Sequence, residues 1–119
     1  MKWKLDDSRP IWPQLKEQLM KAIVAGQYPS GEPFPTVRDL SENAGVNRNT
    51  MQRALSELES VGLLITNRTS GRTVTSDSSL IEKIRIELAN ENVESFLGEM
   101  ASLGYSPEDV IEIIKGGLK

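Results

Sequence analysis

A cluster of polar residues near the middle of the chain is of the types that recognise DNA. Its members are Arg48, Asn49, Thr50, Gln52 and Arg53. In the DNA major groove, arginine can pair with guanine O6 and N7, and asparagine or glutamine can pair with adenine. No acidic residue lies between Glu42 and Glu57 to repel phosphate. The cluster therefore predicts a DNA-binding surface, and the alternative is an ordinary solvated helix face.

An amphipathic helix would present this cluster to solvent. Apolar residues recur at helical spacing through the same stretch, namely Met51, Ala54, Leu55, Leu58 and Val61. A rotation of about 100° per residue puts the polar cluster on the opposite side and its flanks. Asn47 is a favourable N-cap, and Gly62 can end the helix. The stretch is typical of a recognition helix that begins at Arg48.

A second, shorter helix is predicted just before it, over residues 36–44. Its apolar stripe consists of Val37, Leu40 and Ala44. Thr36 and Asp39 have the spacing of an N-terminal capping pair, and Pro35 discourages an earlier start. Gly45 can adopt the left-handed conformation that ends a helix, so the recognition helix follows within three residues. The two helices and this tight turn predict a helix-turn-helix.

A hairpin is predicted directly after the recognition helix. Two β-branched runs, 63–68 and 72–75, bracket a short turn at residues 69–71. The residues expected to reach a phosphate or the minor groove from this hairpin are Arg68, Ser70, Gly71 and Arg72. A plain surface hairpin is the alternative. Together with the two helices, the hairpin predicts a winged helix-turn-helix.

The N-terminal part of the chain is expected to complete this domain. Residues 1–10 read as an extended arm, and a helix is predicted over residues 11–25, ended by Gly26. Its apolar stripe is expected to cover the helix-turn-helix, with Trp12 in the core or at a dimer contact rather than stacked on a ligand. Residues 27–35 contain four prolines or glycines at alternate positions and are predicted to form a turn-rich loop.

The composition excludes several classes of function. The 119 residues include no cysteine and no histidine, which excludes disulfides, thiol catalysis and the commonest metal ligands. No phosphate-binding glycine loop or nucleophile elbow occurs, so an enzyme is not expected, and neither a metal nor a cofactor is predicted. With no long apolar run and no signal-peptide pattern, we expect a cytoplasmic protein with no membrane partner.

The charge divides unevenly along the chain. Residues 1–76 carry ten Lys/Arg and eight Asp/Glu, a net charge of +2, while residues 77–119 carry four and nine, a net charge of −5. The weak positive excess predicts that DNA affinity depends on a local arginine cluster and on two copies binding together. We therefore expect a winged helix-turn-helix domain over residues 1–76 and a separate tail over residues 77–119.

The tail is expected to be helical and to mediate dimerisation. Residues 76–79 are a short polar break that can cap a new helix. The helical pattern that follows, from Leu80 to Leu103, is read either as one helix bent near Asn90 or as two abutting helices. Ser106 and Pro107 begin a final helix that extends to Leu118. The residues assigned to the dimer contact are Ile84, Leu88, Phe96, Leu97, Met100, Ile113 and Ile114. The alternative is a tail that folds back on its own winged domain.

Three segments resemble the DNA-binding domain of GntR-family bacterial transcriptional regulators. They are residues 34–41, 45–51 and 54–64. The resemblance implies that Arg38 and Arg48 contact operator DNA, that Thr50 contacts phosphate or base, and that Gly71 enters the minor groove. Asn47 and Asn49 depart from the usual serine or threonine, and residues 69–72 contain fewer glycines than most wings of the family. These departures leave the target sequence open.

The short tail resembles the YtrA subgroup of this family. That resemblance implies dimerisation through the tail and, in many members, repression of operons for ABC transporters. The expected fold is mostly α with a small β-wing and a two- or three-helix dimerisation region. The expected function is a homodimeric repressor of an inverted-repeat, double-stranded DNA operator, with any small-molecule effector bound between subunits. The alternative is a winged-helix protein-interaction module that does not read DNA.

Overall fold

Five α-helices and one antiparallel pair of strands form the part of the chain that the structure, a computed structural model, describes, residues 1–116. The elements in chain order are α1 (Ile11–Val24), α2 (Val37–Ala44), α3 (Arg48–Ser60), β1 (Leu64–Asn67), β2 (Gly71–Val74), α4 (Ser78–Ser102) and α5 (Pro107–Gly116). This order confirms the predicted winged helix-turn-helix and its mostly helical composition. Leu118, assigned to the last helix, lies outside the described residues.

The chain divides into two compact units, residues 1–85 and the residues from 86 onward. The division falls within α4, whereas the predicted domain boundary after residue 76 lies just before that helix. The first eight residues of α4 therefore belong to the N-terminal unit together with the helix-turn-helix and the wing.

The core of the N-terminal unit forms where α1 and α2 pack against α3. Its fully buried large side chains are Leu15, Leu19, Met51, Leu55, Leu58, Leu63 and Val74. Burying such side chains is the main favourable contribution to folding. Val61, assigned to the apolar stripe of α3, is instead 37% exposed, because α3 ends at Ser60 and Val61 is its C-cap.

The predicted arm lies along α1, held by two glutamines one helical turn apart. The Gln14 side chain accepts from the Asp6 amide at 2.7 Å and donates to the Asp6 carbonyl at 2.9 Å. Gln18 makes the same pair with Lys4, at 3.0 and 2.8 Å. Trp3 Nε1 donates to Asn43 Oδ1 at 2.8 Å, so the arm also reaches α2. These bonds satisfy backbone groups that an extended segment would otherwise leave to water.

The wing is a hairpin of two four-residue strands, and its second strand also bonds to a neighbouring loop. β1 and β2 pair in a register that places Leu64 opposite Val74 and Asn67 opposite Gly71, so the turn is residues 68–70 and Gly71 is the first residue of β2. The other edge of β2 bonds to the proline-rich loop, through the Phe34 amide to the Arg72 carbonyl at 2.8 Å. Residues 31–34 therefore brace the wing.

The tail contains one long helix and one short one. α4 is continuous from Ser78 to Ser102, which excludes two abutting helices. The polar side chains at residues 89–92 are all exposed, so they are solvated and do not interrupt the helix. Asp77 caps the start of α4, accepting from the amides of Ser79 and Leu80, each at 3.1 Å. α5 begins with a reciprocal capping box, in which Ser106 and Asp109 each bond the other's backbone amide.

Candidate nucleic-acid interface

The turn between α2 and α3 fixes where the recognition helix begins. Gly45 has φ 69°, a left-handed conformation that costs other residues energy, and the next amide, of Val46, donates to the Ser41 carbonyl at 3.0 Å. Asn47 then caps α3 by accepting from the Asn49 amide at 2.7 Å. Local bonds within a few residues therefore set the start of α3 at Arg48, as predicted.

The first two turns of α3 present the predicted polar cluster to solvent. Arg48, Asn49, Gln52 and Arg53 are exposed, and Thr50 is half-buried. The first turn contains no acidic residue, and the partial positive charge of a helix N-terminus lies at the same end. The Gln52 amide donates to the Ser56 hydroxyl at 3.2 Å, which orients it along the exposed face. This end of α3 is suited to bind an anionic, hydrogen-bonding surface.

Arg38 lies on α2, the helix before this face. Its Nε is 3.3 Å from a Glu42 carboxylate oxygen, and the two side chains are 70% and 62% exposed. An ion pair so exposed contributes about 0–1 kcal/mol, so a phosphate can replace the carboxylate at little cost. Arg38 is thus available for the role that the resemblance implies.

A further exposed positive charge, that of Arg68, lies at the tip of the wing. Arg68, Ser70 and Gly71 are exposed. Gly71 has φ 77°, and a Cβ built there would have no neighbour within 4 Å. Glycine is therefore required here by backbone conformation, and the tip is open to a close approach by another molecule.

Arg72, grouped with the wing-tip residues in the sequence, occupies a different environment. Its Nε bonds to Glu59 Oε1 of α3 at 2.5 Å, and the two side chains are only 17% and 30% exposed. Glu59 Oε2 also accepts from the Thr66 hydroxyl at 2.8 Å. The guanidinium of Arg72 thus joins the wing to α3, and its side chain is mostly buried, which argues against its assignment as a DNA contact.

The pKa of Glu59 reflects its contacts with Thr66 and Arg72. Partial burial raises the pKa of its carboxyl, but the Thr66 hydroxyl and the Arg72 guanidinium outweigh burial and hold the pKa below its ordinary value of 4.5. Glu59 is therefore ionised at neutral pH and joins both strands of the wing to the recognition helix.

Trp12 plays a part that the sequence analysis missed. The guanidinium carbon of Arg53 lies 4.3 Å from the centroid of the Trp12 ring, a cation–π contact between α1 and α3. Trp12 is half-buried, which agrees with its predicted packing role, but its ring face also stacks on a residue of the polar cluster. The two residues are distant in sequence, and no local pattern pairs them.

Residues 1–116 present neither a metal-binding cluster nor a membrane-spanning helix. This part of the chain contains no group of acidic, cysteine or histidine side chains arranged to hold a metal ion. None of its helices combines the length and the apolar character needed to cross a membrane.

The model of the family described as "Bacterial regulatory proteins, gntR family" matches residues 13–74, more than half of the chain. This chain belongs to the GntR family. The matched segment runs from α1 through the wing and includes α2 and α3. As a GntR regulator, the protein is a DNA-binding regulator of transcription with a winged helix-turn-helix.

Similarity to known GntR proteins extends into the tail. The chain is 30% identical over 112 residues to the uncharacterized HTH-type transcriptional regulator YhcF of Bacillus subtilis, covering 94% of this chain and 93% of YhcF. It also superposes on a GntR family transcriptional regulator from Listeria monocytogenes with a TM-score of 0.87 and 35% identity, covering 96% and 100% of the two chains. The short tail is thus shared with relatives of the same length.

Two more solved structures bear on the predictions. The DNA-binding domain of AraR, solved in complex with operator ORR3, matches 63% of this chain and 93% of its own, with 27% identity and a TM-score of 0.52. YtrA from Sulfolobus acidocaldarius matches 97% of this chain and 93% of its own, with 20% identity and a TM-score of 0.57. At that identity the second match shows a common fold alone.

Proposed function

We propose that this GntR regulator is a homodimeric repressor that binds an inverted-repeat operator through the exposed face of α3. The observation that carries the proposal is the first part of that helix, where Arg48, Asn49 and Gln52 are exposed and no carboxylate lies in the first turn. The AraR domain, which shares this fold, is bound to an operator in its own structure.

The proposed contacts follow from the position of each side chain. The N-terminal residues of a recognition helix contact base edges, so Arg48, Asn49 and Gln52 read bases in the major groove. Thr50 and Arg38 bind phosphates beside them. At the wing, Arg68, Ser70 and Gly71 approach the minor groove. In this arrangement α3 reads the base sequence, and the surrounding phosphate contacts supply affinity.

The dimer is proposed from the apolar surface of the C-terminal unit. Large hydrophobic side chains from residue 86 onward are exposed, among them Val93 at 54%, Leu103 at 71% and Ile114 at 68%. Within the assigned set, Phe96 and Ile114 are exposed, whereas Leu88, Leu97, Met100 and Ile113 are half-buried. A second copy of the chain would cover this surface, as soluble proteins seldom leave so much apolar area in water.

Ile84 does not belong to that surface. It is 8% exposed in the single chain and belongs to the N-terminal unit, so the proposed dimer contact does not include it. The helical spacing of the tail predicts that Ile84 lies on an apolar stripe, but the spacing does not show that this side chain is already buried in the single chain.

In this proposal, repression results from occupancy of the operator by the dimer. Two recognition helices about 34 Å apart would read successive major-groove faces of an inverted repeat, and the bound dimer would block access to the promoter. A small-molecule effector bound between subunits would change the distance or angle between the two helices and so release the operator.

Binding to the inverted repeat in the protein's own promoter tests the proposal. Arg48→Ala should weaken that binding by about tenfold or more, because a bidentate arginine–guanine pair contributes about 1–3 kcal/mol. Arg85→Ala is the matched control, since it removes an equal charge from an exposed ion pair with Glu82 on α4. Equal affinities for wild type and Arg48→Ala would contradict the site assignment. Absence of any salt-dependent DNA binding would favour the protein-interaction alternative.

A further inference from the structure

The stack of Arg53 on Trp12 leaves the hydrogen-bonding edge of the arginine free. The guanidinium carbon lies 4.3 Å from the ring centroid, so the ring covers one side of the guanidinium. The five N–H donors of an arginine point outward in the plane of the group. No ion pair within residues 1–116 includes Arg53, and its side chain is exposed. The donors are thus held in place with no acidic partner.

The position of Arg53 on α3 favours phosphate over base as its target. Arg53 follows Asn49 by four residues and shares its side of the helix. It lies C-terminal to Arg48, Asn49 and Gln52, whereas base edges are read mainly from the N-terminal residues of a recognition helix. Its stack on α1 also holds it at the flank of α3, because the ring fixes the guanidinium beside that helix. A duplex lying along α3 would bring a backbone phosphate to this flank.

We infer that Trp12 is a positioning residue that orients Arg53 to bind one phosphate of the operator backbone. The inference rests on the proposed DNA-binding function. Trp12 contacts no DNA in this account; its ring restricts the rotamers of Arg53 before DNA arrives, which lowers the entropy lost on binding. An arginine suits this role better than a lysine, because only the planar guanidinium stacks and still presents its donors.

Operator affinity of full-length variants tests the inference. We expect Arg53→Ala to lose about tenfold and to reduce the slope of log affinity against log salt by about 0.9, the value for one phosphate contact. Trp12→Leu should lose about threefold, in line with a cation–π contact at an exposed site. Trp12→Phe, which keeps an aromatic face, should stay within about twofold of wild type. The Trp12→Leu/Arg53→Ala double variant should bind no more weakly than Arg53→Ala alone.

A spectroscopic measurement separates positioning from general packing. The ring current of Trp12 should shift the Arg53 Nε–Hε proton resonance upfield in the free wild-type protein, and Trp12→Leu should abolish that shift. If Trp12→Leu does not fold, Arg53→Lys answers the same question, because it keeps the charge and loses the planar stack. Arg53→Lys should lose about threefold, the contribution of the stack.

Several results would overturn the inference. One is a double variant whose loss of operator affinity equals the product of the Trp12→Leu and Arg53→Ala losses, because that result would show that Trp12 acts independently of Arg53. Another is full operator affinity in a folded Trp12→Leu protein or in Arg53→Lys. Failure of the proposed function is distinguishable, because then wild type itself binds no operator or Arg48→Ala binds as tightly as wild type.

Discussion

Replacement of Glu59 by alanine should destabilise the protein more than the loss of an exposed ion pair would. The change removes two hydrogen bonds to the carboxylate, from Thr66 at 2.8 Å and from Arg72 at 2.5 Å. It also leaves the Arg72 side chain, 17% exposed, without its partner. Charge-assisted bonds in partly buried positions contribute about 1.5–3 kcal/mol, and solvent screening at Glu59 reduces their sum. We expect a loss of about 2 kcal/mol in the free energy of unfolding.

Thermal and urea unfolding followed by circular dichroism at pH 7 measures this loss. A change of about 2 kcal/mol lowers the midpoint of a domain this small by about 10 °C. Glu82→Ala is the matched control, because Glu82 pairs with Arg85 in an exposed position where the side chains are 55% and 63% exposed. The control should change the free energy of unfolding by less than about 1 kcal/mol.

The pH dependence gives an independent check on the same residue. The pKa of Glu59 is lower in the folded protein than its ordinary value of 4.5, so its stabilisation is present above that value and is lost as the pH falls through the folded pKa. The difference in stability between wild type and Glu59→Ala should therefore shrink below about pH 4.5. The reasoning is refuted if Glu59→Ala and Glu82→Ala unfold at the same temperature at pH 7, or if the difference does not depend on pH.

Three further predictions concern the turn, the tail and the dimer. Gly45→Ala should lower the free energy of unfolding, measured with denaturant, by about 1 kcal/mol, because φ is 69° and an added Cβ would meet no neighbouring atom. Gly98→Ala within α4 should be neutral or stabilising. Equal effects of the two substitutions would contradict the conformational argument. Ser106→Ala should lower the helix content of the tail, because it removes a capping box worth about 1 kcal/mol, and an unchanged circular dichroism spectrum would argue against the cap. Ile114→Asp should shift the sedimentation mass from a dimer toward the 13.2 kDa chain, with Glu108→Ala as a surface control, and a wild-type monomer at micromolar concentration would contradict the dimer itself.

The helix-turn-helix could be predicted from the sequence because its determinants are local. Thr36 accepts from the amide of Asp39, Asn47 accepts from that of Asn49, and Gly45 sits between them. Each of these contacts joins residues at most three positions apart, so the identity and spacing of the residues suffice to place both helices. The exposed side of α3 then follows from helical geometry.

Contacts between elements that are distant in sequence could not be predicted in the same way. Arg72 looks like a wing-tip cation until its bond to Glu59, in a different element, is known. Trp12 and Arg53 meet because α1 packs on α3, and nothing local predicts that meeting. Helical spacing predicts that Ile84 is buried, but it does not distinguish burial within one chain from burial between subunits. Tertiary packing decides all three cases.

We propose that the N-terminal part of α3, with Arg48, Asn49 and Gln52, reads operator DNA. The most direct measurement is the affinity of the wild-type protein for its own promoter repeat, for a shuffled repeat of equal length and for a single half-site, each over a series of salt concentrations. We expect tighter binding to the intact repeat than to either competitor and a steep fall of affinity with salt. Equal affinity for the repeat and the shuffled sequence, or affinity that does not depend on salt, would contradict it.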